Sequence, residues 1–515
     1  MATILFFLAL APILWLVVSL SGMKMAGYKA CPVALVLAVA LALIVWKAPL
    51  QNVFTAALEG VALALWPIVL VILAAVFTYN LSTHTGYMEL IKRMLTGVST
   101  DRRILVLIVA WGFGGFLEGM AGFGTAIAIP ASMLWGLGFD PLFSAAICLV
   151  ANSAPTVFGS IGIPTTTLAQ LTGLDPLLLS GVTAAQLAPL NILIPFVLVA
   201  MTGKSVKALR GMGLLTVVAG VTFVIPQFFV GRFIGAELAT VIGAVCAMLA
   251  IIGWTRLLRK KPTPPAYEMA VPKQEPISFK KALVAWFPFI LIFAFLILTS
   301  KIVPWINQAL SAVKTSVMIY SGEGAAPYTF VWIVTPGVLI LLAALIGGAV
   351  QGASLKEMLI VLGQTVKQMS KTIVTVVSVM ATAKVMGYSG MIGTMAATVV
   401  AVTGPFYLLV APLIGSLGGF ITGSATSSSV LFGTLQTEAA RTIGASPYWA
   451  AAANTAGATI GKMISPQSIA IAVTATSLAG KDGKILNAVI KYFVLFVVVM
   501  GLITFFGAPL ASLLS

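Results

Sequence analysis

The sequence predicts an all-α polytopic membrane protein of about 12 to 14 transmembrane helices, arranged as two inverted repeats with broken helices. Three observations predict it. The 515 residues are 60% hydrophobic and only 8% charged, with a mean hydropathy of +1.10, far from the composition of a soluble domain. Apolar runs near the roughly 20 residues needed to cross a bilayer recur from end to end. Finally, two segments, Phe116 to Thr167 and Phe420 to Ser468, carry the same pattern of Gly, Pro, Asn and hydroxyl residues inside apolar sequence. Hydrocarbon cannot satisfy free backbone amides, so such interruptions belong where the chain lines a cavity or is buried in protein.

From the N-terminus, Ala2 to Leu20 is apolar, without a basic start, and too long for a cleaved secretory peptide; it is expected to stay as a helix. Val61 to Tyr79, Ile104 to Phe116, Val182 to Met201, Leu214 to Val230, Val241 to Leu257, Leu283 to Leu298, Val331 to Val350 and Ala488 to Ala508 are further crossings. The formal charge of +16 is spread over short loops: Lys24 and Lys29, Lys92 to Arg103, Lys204 to Arg210, and Arg256 to Lys281. That distribution obeys the positive-inside rule rather than forming a nucleic-acid surface. These loops are therefore cytoplasmic, the N-terminus is outside, and the organisation is residues 1–255 as one half, 256–282 as a Pro- and Lys-rich cytoplasmic linker, and 283–515 as the other. With that count, the helix leading into Phe116 runs outward and the helix at about Met391 to Gly415 runs inward, so the repeats enter from opposite faces. Thr299 to Tyr328 is expected to be an external connection with a short amphipathic piece. In the pattern from Lys356 to Lys384, Lys367 and Lys371 are expected to snorkel to the interface, whereas Lys384 lies too deep for that. His84 is read as a solvated helix-end residue, with a proton relay as the alternative. Cys31, Cys148 and Cys246 sit in apolar runs without metal-ligand spacing, and no disulfide is expected.

The repeats align motif by motif if gaps of a few residues are allowed. FLEGMAG at Phe116 to Gly122 matches FITGSAT at Phe420 to Thr426, Asp140-Pro141 matches Ser446-Pro447, and NSAP at Asn152 matches NTAG at Asn454. Seven residues past each Asn stands Gly159 or Gly461, and twelve past it Pro164 or Pro466. Paired interruptions of this kind point to the substrate site of a secondary transporter. Glu118 lies among Gly115, Gly119 and Gly122. An acid there costs roughly 2.5 to 3.5 kcal/mol to insert, so it is expected either to carry a proton or to pair with a lysine from another helix. Its counterpart is Thr422, which carries no proton. Lys462, between Gly461 and the Pro466 break, is a candidate anion ligand beside the exposed helix start, and it equally suits a lysine that snorkels to the inner interface. Asn152, Ser153, Asn454 and Thr455 are neutral candidates for orienting a hydroxylated carboxylate, and they equally suit ties between helices. Thr165, Thr166, Gln467 and Ser468 follow the two prolines; Ser424, Ser427 and Ser428 belong to a hydroxyl run expected to line an aqueous path. Glu438 and Arg441 are spaced to pair on one helix face.

FLEGMAGFG at Phe116, NSAPTVFGSIGIP at Asn152, FITGSATSSS at Phe420 and AANTAGATIGKMISPQSIAIA at Ala452 resemble the characteristic blocks of the lactate permease family. The resemblance implies a proton symporter of lactate, glycolate and related 2-hydroxymonocarboxylates in the inner (plasma) membrane, with inverted repeats and re-entrant hairpins. At Ala425 many members of the family carry an Asp; its absence here places more weight on Glu118.

No Walker loop or soluble nucleotide domain is present, which excludes an ATP-driven pump, and GFGGFLEG lies within an apolar helix rather than at a dinucleotide site. One histidine and scattered acids offer no enzyme site and no cofactor. The residues alone lead to a secondary transporter of a small anionic solute, with sodium coupling and an anion channel as the competing readings.

Overall fold

The computed structural model describes residues 2–23, 25–122, 124–258, 263–269, 277–478 and 480–511. Lys24, Phe123 and parts of the linker (259–262 and 270–276) lie outside the described residues. The first half comprises α1 (Ala2–Val17), α2 (Gly27–Ile44), α3 (Leu50–Leu63), α4 (Leu70–His84), α5 (Tyr87–Thr96), α6 (Arg102–Val106), α7 (Gly114–Met120), α8 (Thr125–Gly136), α9 (Pro141–Ala151), α10 (Gly159–Thr172) and α11 (Pro176–Thr202). Helices α12 (Gly213–Phe233) and α13 (Ala236–Gly253) follow. The second half comprises α14 (Phe279–Leu298), α15 (Pro304–Ser311), the antiparallel strands β1 (Lys314–Val317) and β2 (Tyr328–Val331), then α16 (Pro336–Val350), α17 (Leu355–Tyr388), α18 (Met391–Thr403), α19 (Tyr407–Thr422), α20 (Ala425–Thr442), α21 (Pro447–Lys462), α22 (Pro466–Ala475) and α23 (Asp482–Phe506). The expected amphipathic piece between 299 and 328 is α15; the hairpin after it has no hydropathy signal, because its exposed polar residues pair through the backbone.

Among the described residues, eleven helices are long and apolar enough to cross a membrane, twelve if the bent pair α9 and α10 counts as one span. This is the lower end of the expected range, because Thr125–Gly136, Pro336–Val350 and Pro466–Ala475 are apolar but only 10–17 residues long, short of a full-length span. The first of these shows why. Arg102 stacks over Phe139, with 4.9 Å to the ring centroid, so the chain that leaves this end at Arg102 is back at it by Phe139. Segments α6 to α8 thus form a re-entrant hairpin, turning at Gly122 (φ 58°) and Gly124 (φ 88°), where only glycine adopts the left-handed backbone readily. The helix leading into Phe116 does not run out to the far face as the hydropathy count had it.

The second hairpin, α19 to α20, enters from the other side. At the end of the molecule holding Arg102, Arg103 donates to Ala208 O and stacks over Tyr267 of the linker, and Met269 N donates to Thr100 O. At the opposite end, Tyr448 Oη accepts from Asp175 N, Trp449 Nε1 donates to Thr504 O, and Phe406 stacks on Phe505. Helix α11 runs from the second end, at Pro176, to the first, at Thr202. The feet of hairpin two, Phe406 and the chain before Tyr448, therefore lie opposite the feet of hairpin one. Its turn is at Gly423 (φ 64°).

The packing has the reciprocity of a two-fold axis. Helix α10 packs on α20 and its counterpart α22 on α8; α11 packs on α21 and α23 on α9. The same exchange relates α2 on α17 to α16 on α4, and α5 on α14 to α18 on α1. The repeat thus extends well beyond the motif segments. Helices α12 and α13, packed on each other and on α11 and α7, have no counterpart among the described residues of the second half.

Candidate functional site

Each repeat follows its hairpin with a span that breaks partway. In the first, α9 ends at Asn152, a short 3-10 turn covers Pro155–Phe158, and Ser160, Ile161 and Gly162 take left-handed dihedrals (φ 47°, 57° and 74°) before Pro164 restarts the helix. Two consecutive non-glycine residues with positive φ carry strain, and strain of this kind gathers at functional sites. In the second, α21 continues through Asn454 to Lys462, and Pro466 opens α22 with Ser465 as its cap, accepting from Ser468 N. The aligned asparagines therefore differ in role: Asn152 caps a helix end, and Asn454 lies mid-helix.

A cavity of about 910 Å³ forms where these breaks and both hairpin tips converge. Glu118, Thr156, Gly159 and Ser160 come from the first repeat, Thr422 to Ser427, Lys462, Gln467 and Ser468 from the second. On its wall Glu118 Oε1 accepts from Lys462 Nζ at 2.9 Å, and Lys462 also reaches Thr156 Oγ1 at 3.5 Å. The side chains are 2% and 9% exposed, and Glu118 Oε2 has no protein partner. The carboxylate fits because residue 159 is glycine; a Cβ there would stand 2.7 Å from Glu118 Oε1. The ammonium is held where it is because α21 crosses α19 at glycine contacts, a Cβ on Gly461 falling 1.9 Å from Ser416 O and one on Gly419 2.0 Å from Ala458 O. Helices α20 and α22 both begin at the cavity wall, so their free amides and partial positive charge face the same space as Lys462.

The opposite wall is formed by Met25 to Tyr28, Cys31, Ile72 and the face of α17 from Lys371 to Val379. Asp482, at the start of α23, lies with Tyr28 and Lys371 on the side of the basic loops, and the Lys371 ammonium is 5.3 Å from the Tyr28 ring centroid. Lys371, expected to snorkel to the interface, is exposed and lines the mouth of this cavity. Thr156 and Lys371 are among the site residues that sequence reading missed, with Ser160 and Asp482. Thr156 had a signal, following Pro155 in the break; Lys371 had none, because only the folded chain brings α17 opposite hairpin two.

Of the sequence candidates, Glu118, Thr422, Ser424, Ser427, Lys462, Gln467 and Ser468 line the cavity. The others do not line it. Ser153 donates to Val150 O, Thr165 to Val157 O, Thr166 to Gly162 O, Ser428 to Gly415 O and Thr455 to Ala451 O. Asn454 Oδ1 accepts from Gln436 Nε2 at 3.3 Å, while Asn454 Nδ2 and Asn152 Oδ1 are buried without a partner. Glu438 and Arg441 pair with each other on an exposed helix face, away from the cavity.

The family profile described as L-lactate permease matches residues 5–511. The chain belongs to the L-lactate permease family. This permease is 48% identical to the L-lactate permease of Streptococcus iniae over 86% of its own length and 93% of that protein. It is 34% identical to the glycolate permease GlcA of Escherichia coli K12 (97% and 95% covered) and 33% identical to the L-lactate permease of Bacillus subtilis 168 (96% and 94%). In fold it is similar to the Alcanivorax borkumensis YdaH transporter, described as having an unusual topology, with a TM-score of 0.51 at 17% identity over 93% of this chain and 99% of that one. The permease is thus a multi-pass membrane transporter, not an enzyme.

Proposed function

We propose that this permease is a secondary transporter that carries lactate, glycolate and related small 2-hydroxymonocarboxylates across the plasma membrane together with protons. Glu118 is the proton carrier and Lys462 the substrate's carboxylate ligand. The observation that supports this most is the buried Glu118 and Lys462 pair on the cavity wall, donated by opposite repeats.

The coupling follows from charge. In the empty carrier the ammonium and carboxylate neutralise each other, so the pair tolerates closure away from water. When Glu118 takes a proton, Lys462 is released and accepts a substrate carboxylate; the loaded site is again neutral. Substrate without a proton leaves a net negative charge, and a proton without substrate a net positive one. Either buries an uncompensated ion, which costs several kcal/mol. Only the empty and the fully loaded forms then change access, which is symport. The hydroxyls of Thr422, Ser424, Ser427 and Ser468, with the Gln467 amide, supply partners for the 2-hydroxyl. The cavity mouth lies on the side of the basic loops, so the conformation described is the inward-facing one. The repeats of residues 116–167 and 420–468, in halves 1–255 and 283–515, are the units that meet at this site.

The test is uptake of L-lactate and glycolate into proteoliposomes under an imposed proton gradient. Accumulation above equilibrium is expected; dissipation to equilibrium alone would make the chain a channel, and a requirement for sodium at fixed pH would move the coupling to that ion. The variant Glu118→Gln is expected to lose proton-driven accumulation while retaining exchange of L-lactate for L-lactate. Its empty form carries an unpaired ammonium and cannot return, whereas its loaded form is neutral. Retention of accumulation would remove Glu118 from the role.

A further inference from the structure

A second carboxylate and ammonium pair lies buried outside the cavity. Glu59 Oε1 on α3 is 2.7 Å from Lys384 Nζ on α17 and accepts from Tyr388 Oη at 2.8 Å; the Glu59 and Lys384 side chains are 6% and 17% exposed. Glu59 Oε2 is buried with no partner. Over the pair, the Tyr388 ring stacks on Tyr320 with centroids 3.7 Å apart and planes 8° from parallel. Tyr320 stands in the connection between β1 and β2, and the neighbouring Ser321 is pinned to α3, its hydroxyl 3.0 Å from Thr55 Oγ1 and 3.4 Å from Asn52 Oδ1. Glu323 and Tyr328 are the other titratable groups turned toward the cluster; burial, then the carboxylates of Glu59 and Glu323, push the Tyr320 phenol upward, so it stays a hydroxyl.

This cluster is at the end of α17 away from the cavity mouth. Lys371 and Thr375 of α17 face Tyr28 and Gly27 at the mouth, while Gly390, just past Tyr388, lies against Trp46 at the other end of α2. The molecule also supplies its own control for a bracing role. By the two-fold relation, α3 and α4 together (Leu50–His84) correspond to α17 (Leu355–Tyr388), and Lys384 and Asn80 each stand four residues before the end of their span. Asn80 closes its end with neutral hydrogen bonds, 2.9 Å to Thr365 Oγ1 and 2.9 Å to Gln368 Oε1. The His84 and Glu357 side chains at that end, 3.9 Å apart, are 47% and 48% exposed; holding these spans together therefore needs no buried charge, yet at the outer end a buried charged pair is kept, at a desolvation cost that apolar residues would avoid.

We propose that Glu59 and Lys384 form an outer reception site for a small monocarboxylate: Glu59 takes a proton from the external solution, its pair with Lys384 breaks, and the entering carboxylate replaces it on the Lys384 ammonium. The net charge of the site is the same before and after, and Tyr320 with Ser321 is the latch that lifts. The proposal rests on the reading of the chain as a carboxylate carrier and adds a station to its path.

The variant to make removes both charges, Glu59→Gln with Lys384→Met, since deleting one alone strands the other. In oriented proteoliposomes the half-saturating L-lactate concentration is expected to rise about tenfold or more for entry from the outer face, the loss of one charge-assisted contact. On the inner face it stays within about twofold. An unchanged outer value in a folded double variant, or an equal rise on both faces, would make the pair a brace and overturn the proposal. If the double variant does not fold, Thr55→Cys with Ser321→Cys decides: oxidation is expected to block uptake and a reductant to restore it, and full uptake by the cross-linked form overturns the latch. Absence of L-lactate transport by the natural chain would take down the carrier reading itself, whereas a null result in the variants alone takes down only the outer site.

Discussion

At the scale of single residues, Glu118 and Lys462 make opposite demands on the membrane interior and meet them by touching. An isolated charge at that depth is costly, and the 2.9 Å contact removes most of the cost by pairing. Breaking such a pair by removing one partner typically costs about 3 to 5 kcal/mol, whereas removing both is far milder. Lys462→Met is therefore expected to lower the melting temperature of the purified permease markedly, and Glu118→Gln added to it to restore most of the loss. The double variant stays inactive, because neither the proton nor the carboxylate retains its partner. A thermal-shift series on the two single variants and the double variant, read beside L-lactate binding, checks both halves; recovery of binding in the double variant would show that Lys462 is not the ligand. Thr156 makes a gentler case. Its hydroxyl is the second acceptor of Lys462, at a long 3.5 Å, so Thr156→Val is expected to weaken binding about three- to tenfold, the worth of one ordinary hydrogen bond, with Thr156→Ser close to the natural chain in the same titration.

At the scale of elements, the site depends on how closely α19 and α21 approach. Gly415, Gly419, Gly457 and Gly461 stand at the crossing, and a Cβ on any of them would lie 1.9 to 2.1 Å from a carbonyl oxygen of the facing helix. Small residues at four-residue spacing let helix backbones touch in this way. Gly457→Ala, whose methyl meets Pro412 O, is expected to destabilise by about 1 to 3 kcal/mol as the helices are forced apart, and to lower transport by displacing Lys462 one turn along. Thermal melting and uptake of the same variant check it; full stability would mean the crossing has slack. These elements were legible in the sequence to different degrees. The breaks at Pro164 and Pro466 were, because proline and glycine inside apolar sequence have few other uses there. The Glu118 and Lys462 contact was only half legible: each residue stood out by its charge, but nothing in spacing joins positions so far apart in the chain. The re-entrant hairpins follow from the family resemblance and not from hydropathy, which registers apolar length and is blind to a reversal; what turns the first of them is the left-handed pair Gly122 and Gly124. Asn152 and Asn454 align in sequence yet face protein instead of the cavity, since a motif fixes where a helix bends without fixing which side of the bend is hollow.

At the scale of the whole molecule, two hairpins inserted from opposite ends bring their tips to one cavity, and the charge each repeat contributes there is cancelled by the other. Glu118 comes from the half that enters on the basic side and Lys462 from the half that enters on the opposite side. The empty site therefore has no net charge. If one proton and one monocarboxylate bind together, the loaded site has none either, and no step that moves the site between the two faces carries charge through the membrane field. The potential acts on moved charge with about 2.3 kcal/mol per elementary charge per 100 mV; on a neutral step it does no work. Uptake of L-lactate is thus expected to be driven by the pH difference and insensitive to voltage. An imposed potassium diffusion potential of about 100 mV, inside negative, should leave the initial rate at equal pH on both sides unchanged, while a proton gradient of equal driving force accelerates it. Acceleration by voltage alone would mean that more than one proton accompanies each anion, and the Glu118 carboxyl would then need a second carrier beside it.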